Sequence, residues 1–385
     1  MWFSRVCVCS QWPLGDVYDG EWQNDQRNGR GLLKLSGGDT YDGKWVGDMR
    51  CGEGTLVCVG GESYTGQWVR GERAGKGLCV YEDGWRYDGE WRTNQRHGHG
   101  QLSSADAQET YVGSWSMGQR QGTGTQRDAN GDVYSGYFHA HERAGHGRLE
   151  GADGSLYDGK WAYGLQEGEG VFLSPEGERY VGQWVEGQRA GRGVCEYVGG
   201  DLYEGDWLEG TRTGQGECVY IPLGASLSKA QSPPSSPGSR QRTRTGSGKL
   251  GSKGSRDQLS SGGREARLAA PVRKPADLVA EANEPGGQAV DLYTGGWLSD
   301  SHSGLGRLTM STGETYEGEW RGGQRHGRGI CYYPDGDCYV GEWVDGVRQG
   351  TGTLADSKGS GHEGVAPSVK SPSVKSAKSQ SVSGR

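Results

Sequence analysis

The sequence has little phenylalanine, proline or overall hydrophobic content, and each shortage excludes a class of protein. Of 385 residues, 3 are Phe, 12 are Pro and 32% are hydrophobic. A collagen needs abundant Pro beside a Gly at every third position, and the core of an ordinary enzyme needs more hydrophobic residues. In excess are glycine, with 74 residues, and the aromatics Tyr (19) and Trp (14). Because a flexible Gly/Ser chain would lack those aromatics, the composition predicts a repeat protein with a thin core.

Motifs for membrane insertion, disulfides and catalysis are also missing from the sequence. There is no run of 18 apolar residues, so we expect no transmembrane helix, and the first ten residues are too short for a signal peptide. The nine cysteines include no C-x-x-C pair, which favours a reduced, cytoplasmic setting. Gly-x-Gly pairs recur, but none fits a nucleotide-binding fingerprint. His139, His141 and His146 have no cysteine at zinc spacing. We therefore expect no enzyme activity, cofactor or metal.

Twelve tyrosines mark an internal repeat. Each is followed by Gly two residues later and by an aromatic residue four residues later. The spacing is 23 residues, apart from one step of 24 and one of 90. The series is Tyr18, Tyr41, Tyr64, Tyr87, Tyr111, Tyr134, Tyr157, Tyr180, Tyr203, Tyr293, Tyr316 and Tyr339. A fixed period of this length is typical of stacked repeats, here nine followed by three.

Each repeat has the pattern of a β-hairpin. Trp stands four residues after the Tyr in eleven repeats and Phe138 in the other; Gly recurs eleven and thirteen residues after it in all twelve. Tyr, Gly and Trp at alternate positions share one face of a strand. A lone hairpin is unstable, so neighbours must stack. The sequence predicts an all-β fold, an elongated twisted ribbon of about twelve stacked 23-residue β-hairpins, with a disordered insert and tail.

Several segments resemble a known family. Residues 18–22 (YDGEW), 316–320 (YEGEW) and 325–329 (RHGRG) are similar to MORN (membrane occupation and recognition nexus) repeats. The resemblance implies a protein-organising module in cytoskeletal settings such as ciliary axonemes or membrane–cytoskeleton junctions. It also implies self-association, for which the open end strands of a ribbon offer a physical route to a homodimer.

The repeat aromatics are the first set of candidate functional residues. They could form a buried aromatic ladder, or some rings could be exposed as a surface for protein partners, where aromatics are enriched. The set is Tyr18, Trp22, Tyr41, Trp45, Tyr64, Trp68, Tyr87, Trp91, Tyr316, Trp320, Tyr339 and Trp343. An acidic residue before each Tyr and the Arg nine residues after it are expected to pair between turns.

The repeats fall into two blocks. Residues 1–14 resemble a half repeat or cap, 15–221 hold repeats one to nine, and 291–354 hold repeats ten to twelve. The insert 222–290 and the tail 355–385 are rich in Ser and basic residues, which predicts disorder, with a short helix near 276–283 as one alternative. Loop-closure entropy grows slowly with length, so we favour repeat ten stacked directly on repeat nine over two separate ribbons.

Charge is unevenly distributed. The chain carries −7 overall, about −16 of it in the repeats and +6 in the insert by residue count. A surface that binds anionic lipid must be basic, so the insert is the candidate, not the repeats. The candidate contacts are Lys229, Arg240, Arg242, Arg244, Lys249, Lys253 and Arg256. The missing aromatic interleaving and the acidic balance give no expectation of nucleic-acid binding.

Together these features predict a cytoplasmic, non-catalytic scaffold that organises protein assemblies, and the resemblance to MORN repeats implies cytoskeletal or ciliary ones. The alternative is a peripheral membrane tether, or a partner in phosphoinositide signalling, that binds anionic lipid through the insert.

Overall fold

A computed structural model describes residues 7–11, 15–222, 261–358 and 361–366. These residues form antiparallel β-hairpins and two short helices, which confirms the predicted all-β fold of stacked hairpins. The chain divides into two units, Met1–Gln188 with Ser255–Ala270 (unit 1) and Arg189–Gly254 with Pro271–Arg385 (unit 2).

Unit 1 is an antiparallel meander in which strands that follow one another within the unit pair with each other. Its strands are β1 (Cys7–Gln11), β2 (Val17–Gln23), β3 (Gln26–Lys34), β4 (Thr40–Val46), β5 (Met49–Val57), β6 (Ser63–Val69), β7 (Glu72–Val80), β8 (Arg86–Arg92), β9 (Gln95–Ser103), β10 (Thr110–Ser116), β11 (Gln119–Arg127), β12 (Val133–His139), β13 (Glu142–Glu150), β14 (Leu156–Ala162), β15 (Leu165–Leu173) and β16 (Arg179–Val185). Helix α1 (Ser261–Leu268) belongs to the same unit.

Unit 2 has the same meander topology. Its elements are β17 (Gln188–Glu196), β18 (Leu202–Leu208), β19 (Thr211–Tyr220), α2 (Pro275–Ala282), β20 (Asp291–Leu298), β21 (Ser301–Thr309), β22 (Thr315–Arg321), β23 (Gln324–Tyr332), β24 (Cys338–Val344), β25 (Val347–Ala355) and β26 (Gly361–Ala366). Strand β19 pairs directly with β20, with Gly216 opposite Gly295. Repeat ten therefore stacks directly on repeat nine, which is the arrangement favoured from the sequence.

Each hairpin closes through a two-residue turn with both residues in the left-handed region. In repeat one these are Asn24 (φ 52°) and Asp25 (φ 59°), and all twelve repeats follow this pattern. Turns of this kind match the right-handed twist of paired strands. Their short length fixes the register, so Tyr18 lies opposite Leu33 and Gly20 opposite Gly31.

The paired glycines leave space for the Tyr ring. A Cβ at Gly20 would lie 2.5 Å from the Cα of Gly31, and one at Gly31 would lie 2.5 Å from Cε2 of Tyr18. The ring therefore lies across a surface made only of backbone. Gly29, at φ 76°, belongs to a bulge in which the register shifts between Gly20 and Trp22. Close packing of the Tyr ring therefore requires the glycines two and thirteen residues after the Tyr, and the left-handed bulge requires the glycine eleven residues after it.

The core of each unit is a file of edge-to-face aromatic rings. The Tyr18 ring lies 5.1 Å from Trp22 and 5.6 Å from Trp45 of the next repeat, both nearly perpendicular. The Tyr18 hydroxyl donates to the Glu21 carbonyl (3.1 Å), and Trp45 Nε1 donates to the Gly31 carbonyl (3.0 Å). Burial raises the pKa of Tyr18 to about 12. Edge-to-face pairs add stability beyond their buried area, so the rings link each repeat to the next.

The structure limits the predicted disorder of the insert and the tail. Within 222–290 it places α1 and α2, and within 355–385 it places β26; helix α2 lies where the sequence offered a short helix near 276–283. Helix α2 begins with Pro275 at its first turn, and the Asp277 carboxylate accepts the backbone N–H of Lys274 (2.8 Å). Strand β26 pairs Gly364 with Gly352, which is the register of a further repeat. Composition did not predict β26, because that strand depends on its pairing with β25.

Candidate functional site

The sheet of each unit has two faces with different chemistry. The ring face carries the Tyr, Gly and Trp positions described above. The open face carries the alternate positions, one and three residues after each Tyr and twelve and fourteen after it. In repeat eleven these include Glu317, Glu319, Arg328 and Ile330.

The predicted partner aromatics lie in the core. Eleven of the twelve are buried and Trp22 is partly buried. These rings therefore form the buried aromatic ladder, and the alternative of an exposed ring surface for partners is wrong for the eleven buried residues. The buried residues are Tyr18, Tyr41, Trp45, Tyr64, Trp68, Tyr87, Trp91, Tyr316, Trp320, Tyr339 and Trp343.

The arginine nine residues after the Tyr packs against the aromatic rings of the ladder. The Arg27 guanidinium lies 4.2 Å from the centroid of the Trp45 ring in the next repeat, a favourable cation–π geometry. It also pairs with Asp48 at 3.0 Å, and hydrogen bonds from the Arg27 backbone and side chain lower the pKa of Asp48. In repeat three, however, Arg73 pairs with Glu62 of its own repeat at 2.5 Å. The expected pair of the acidic residue before the Tyr and the Arg nine residues after it therefore forms in repeat three, within the repeat, whereas in repeat one the Arg pairs with a turn residue of the next repeat.

Repeat ten has a histidine in place of this arginine. The His302 ring stacks on Tyr293 at 3.6 Å between ring centroids, and its Nε2 lies 2.8 Å from the Tyr220 hydroxyl. Burial, with a smaller effect of Arg212, lowers the pKa of His302 to about 4. The imidazole is therefore neutral at pH 7 and serves as one more ring of the core.

The open face forms a groove in repeats ten to twelve. It has a volume of about 1110 Å³ and is lined by apolar Leu305, Ile330 and Val340 together with Glu317 and Glu342. Acidic residues on this face also hydrogen-bond to the backbone beside the bulge. In repeat eleven the Glu319 carboxylate accepts a hydrogen bond from the backbone N–H of Arg328 (2.9 Å). The groove thus combines apolar and charged groups on a rigid backbone.

In unit 2 the insert returns to cover the open face of repeats eight and nine. Leu278 of α2 is only 4% exposed and packs in one cluster with Val194, Leu202 and Val219 of the sheet. Lys274, just before the helix, lies 3.6 Å from Glu204. A short amphipathic segment of the chain itself therefore occupies this part of the face.

In unit 1, α1 also lies against the sheet. Arg179, a buried strand residue, donates to the Ala270 carbonyl (2.6 Å), and Arg264 of the helix donates to the Ser174 carbonyl (3.1 Å). Arg148 forms an ion pair with Glu265, and that hydrogen bond lowers the pKa of Glu265. Contacts from both helices show that the open face accepts helical segments.

Three further features considered in the sequence are lipid-contacting residues, a metal site and a transmembrane helix. The basic residues Lys229, Arg240, Arg242, Arg244, Lys249, Lys253 and Arg256 all fall outside the described residues. Among the described residues there is no group of three or more His, Cys, Asp and Glu side chains arranged to hold a metal ion. No helix in the described parts of the chain has the length and apolar character needed to cross a bilayer.

The family comparison agrees with this architecture. The MORN repeat model matches residues 18–40, 41–63, 64–86, 87–107, 111–133, 134–156, 157–179, 180–202, 203–221, 316–338 and 339–361. These matches cover more than half of the chain, which belongs to the MORN repeat family. The family model does not match repeat ten, whereas the structure gives it the same hairpin and Gly pairing. No curated protein matches the sequence.

Solved structures show only weak similarity. The TCP10 domain of Danio rerio CPAP in complex with a STIL peptide is 11% identical, with a TM-score of 0.31, covering 55% of this chain and 87% of that chain. The SAS-4 TCP domain of Drosophila melanogaster, bound to a proline-rich motif of Ana2, is 13% identical, with a TM-score of 0.27 and coverages of 40% and 85%. Neither carries a functional argument.

Proposed function

We propose that this MORN-repeat protein is a non-catalytic scaffold that organises protein assemblies at the cytoskeleton or ciliary axoneme, acting in the cytoplasm. MORN repeats are generally protein- or membrane-binding modules. The observation that carries the proposal is the open face, which already holds two helical segments of its own chain and continues as a free groove in repeats ten to twelve.

The free groove has the chemistry of a protein-binding surface. Ile330 and Val340 supply apolar contact area beside Glu317 and Glu342, so apolar burial can give affinity while the carboxylates select orientation and partner. The hairpins beneath it are held by the aromatic core, so binding costs little ordering of the scaffold.

Proximity labelling in the native cell tests the proposal. The wild-type chain is compared with a double variant, Ile330→Glu with Val340→Glu, and with the control Val347→Glu, an exposed residue outside the groove lining. We expect cytoskeletal or axonemal proteins near the wild type and the control, and their loss with the double variant. A labelled set without such proteins, or one unchanged by the double variant, contradicts the proposal.

A second candidate function is a membrane tether or phosphoinositide-signalling partner. It is supported by the seven basic residues and no acidic residue between Lys229 and Arg256, each worth about 1 kcal/mol near an anionic surface. Co-sedimentation with anionic vesicles at two salt concentrations tests it. Salt-sensitive binding that disappears on deletion of 229–256 supports the tether, and absence of binding rules it out.

A homodimer is also proposed, through edge pairing of end strands. Strand β26 pairs with β25 along one edge, and a free edge is a template for another chain. Light scattering during size-exclusion chromatography gives the mass directly, and a monomer at all concentrations tested overturns this proposal.

A further inference from the structure

Helix α2 covers a sheet surface that is unusually apolar for the open face. The positions before the Tyr and sixteen after it are Leu202 and Val219 in repeat nine, but Arg86 and Ser103 in repeat four. Val219 is 0% exposed, whereas Val57 at the equivalent position of repeat two is 45% exposed. Helix α2 accounts for this difference in exposure, because the neighbouring strands are arranged alike in the two repeats. Repeats eight and nine therefore carry an apolar patch, defined by Val194, Leu202 and Val219, that α2 masks.

The masking segment is short and depends on the sheet for its structure. Helix α2 has eight residues, fewer than the roughly 12–15 that an isolated helix needs to be even marginally stable. Its contact with the patch comes from Leu278, with Val272 and Val279 partly buried beside it. The Lys274–Glu204 ion pair to the sheet is partly exposed. A segment of this kind docks and undocks as a unit.

We infer that the apolar patch on repeats eight and nine is a binding site for an amphipathic helix of a partner protein, and that α2 holds it closed in cis. The inference rests on the proposed scaffold function and names its partner class. The partner helix carries two adjacent apolar residues in the place of Leu278 and Val279, and a basic residue near its N-terminus that faces Glu204. This mode of recognition places the apolar stripe of a helix on a preformed surface.

Competition between α2 and the partner helix for the apolar patch sets the partner's apparent affinity. A tethered segment acts at an effective concentration in the millimolar range, so a partner sees only the fraction of molecules in which the patch is open. Releasing α2 should therefore tighten binding in trans by at least about tenfold, without any change in the patch itself.

The probe is a fluorescein-labelled peptide of residues 271–290, with a scrambled peptide as its control. Fluorescence anisotropy is measured with the full chain, with Leu278→Asp, and with Leu278→Asp combined with Leu202→Glu. Leu298→Asp, at an exposed leucine of the same unit, is the matched control. We expect weak binding to wild type and Leu298→Asp, at least tenfold tighter binding to Leu278→Asp, and loss of binding in the double variant.

Two results overturn the inference: equal affinity for wild type and Leu278→Asp, or binding to Leu278→Asp that survives Leu202→Glu. If Leu278→Asp fails to fold, replacement of residues 271–286 by a Gly/Ser linker of equal length gives the same test, because the β19–β20 pairing lies outside that segment. Failure here leaves the scaffold proposal standing, since that is judged by the groove variants of repeats eleven and twelve.

Discussion

Replacing one glycine of a cross-strand pair should destabilise the aromatic ladder strongly. In Gly77→Ala the new Cβ would overlap the Tyr64 hydroxyl and lie 2.6 Å from Cε2 of that ring. The ring must move, and it makes edge-to-face contacts with Trp68 (5.1 Å) and Trp91 (5.3 Å). Its hydroxyl also donates to the Gln67 carbonyl at 3.0 Å. One added methyl group therefore disturbs the core of two consecutive repeats.

The size of the effect follows from these contacts. Overpacking a core costs about 1–3 kcal/mol, a lost hydrogen bond about 1 kcal/mol, and each weakened ring pair about 0.5–1.5 kcal/mol. Because these contributions overlap, we expect the free energy of unfolding to fall by about 3 kcal/mol. For a folded unit of 150–250 residues this lowers Tm by roughly 6–12 °C.

The matched control is Gly37→Ala. Nothing lies within 4 Å of a Cβ at Gly37, and its φ is not in the left-handed region, so we expect no loss and even a gain of about 0.4–1 kcal/mol. Thermal melts followed by Trp fluorescence give the global effect, and amide hydrogen exchange of β6 and β7 gives the local one. A Gly77→Ala variant that melts within 2 °C of Gly37→Ala refutes the close-packing explanation of the paired glycines.

Three further predictions concern a hydroxyl, a turn and a histidine. Tyr64→Phe leaves the Gln67 carbonyl without its donor and should lower the free energy of unfolding by about 1 kcal/mol in urea denaturation; an unchanged midpoint contradicts this. Tyr163, 87% exposed at φ 50°, should gain about 1 kcal/mol when replaced by Asn, which tolerates the left-handed region; a melt no higher than wild type argues against it. His302 has a pKa of about 4 in the folded protein, below the unfolded value of about 6.5. Its contribution to the free energy of unfolding is therefore complete above pH 6.5 and is lost as the pH falls towards 4. The loss at pH 4.5 should be roughly 2–3 kcal/mol. Urea denaturation at pH 7 and 4.5 should show this extra loss in wild type but not in His302→Phe, and equal losses in both would be evidence against a buried neutral imidazole.

Much of the fold was predictable because it is local and repeated. The 23-residue spacing and the alternation of Tyr, Gly and Trp predicted the hairpin, its face and its stacking, and repeat ten was recognisable from Tyr293, Gly295 and Trp297. The exposure of the rings could not be predicted from alternation. It depends on the rings lying flat over paired glycines, such as Gly20 and Gly31, and on the arginines above them.

The candidate binding face was less accessible to sequence analysis. The apolar pair Leu278 and Val279 after Pro275 was the one signal of a docked helix within a segment whose composition predicted disorder. The position of α2 on the sheet depends on contact with Val194, Leu202 and Val219, which come from three different strands. No local pattern contains that information.

The sequence alone therefore determined the repeat, the hairpin and the shared strand face of Tyr, Gly and Trp, since each depends on residues within one period and that period recurs twelve times. Only the tertiary structure decided which face remains open and which residues of the insert cover it. Those outcomes depend on contacts between residues far apart in the chain, such as Lys274 with Glu204 and Leu278 with Val219. The shortage of hydrophobic residues is explained in the same way, because a single sheet whose rings pack on its own glycines needs no second layer to bury them.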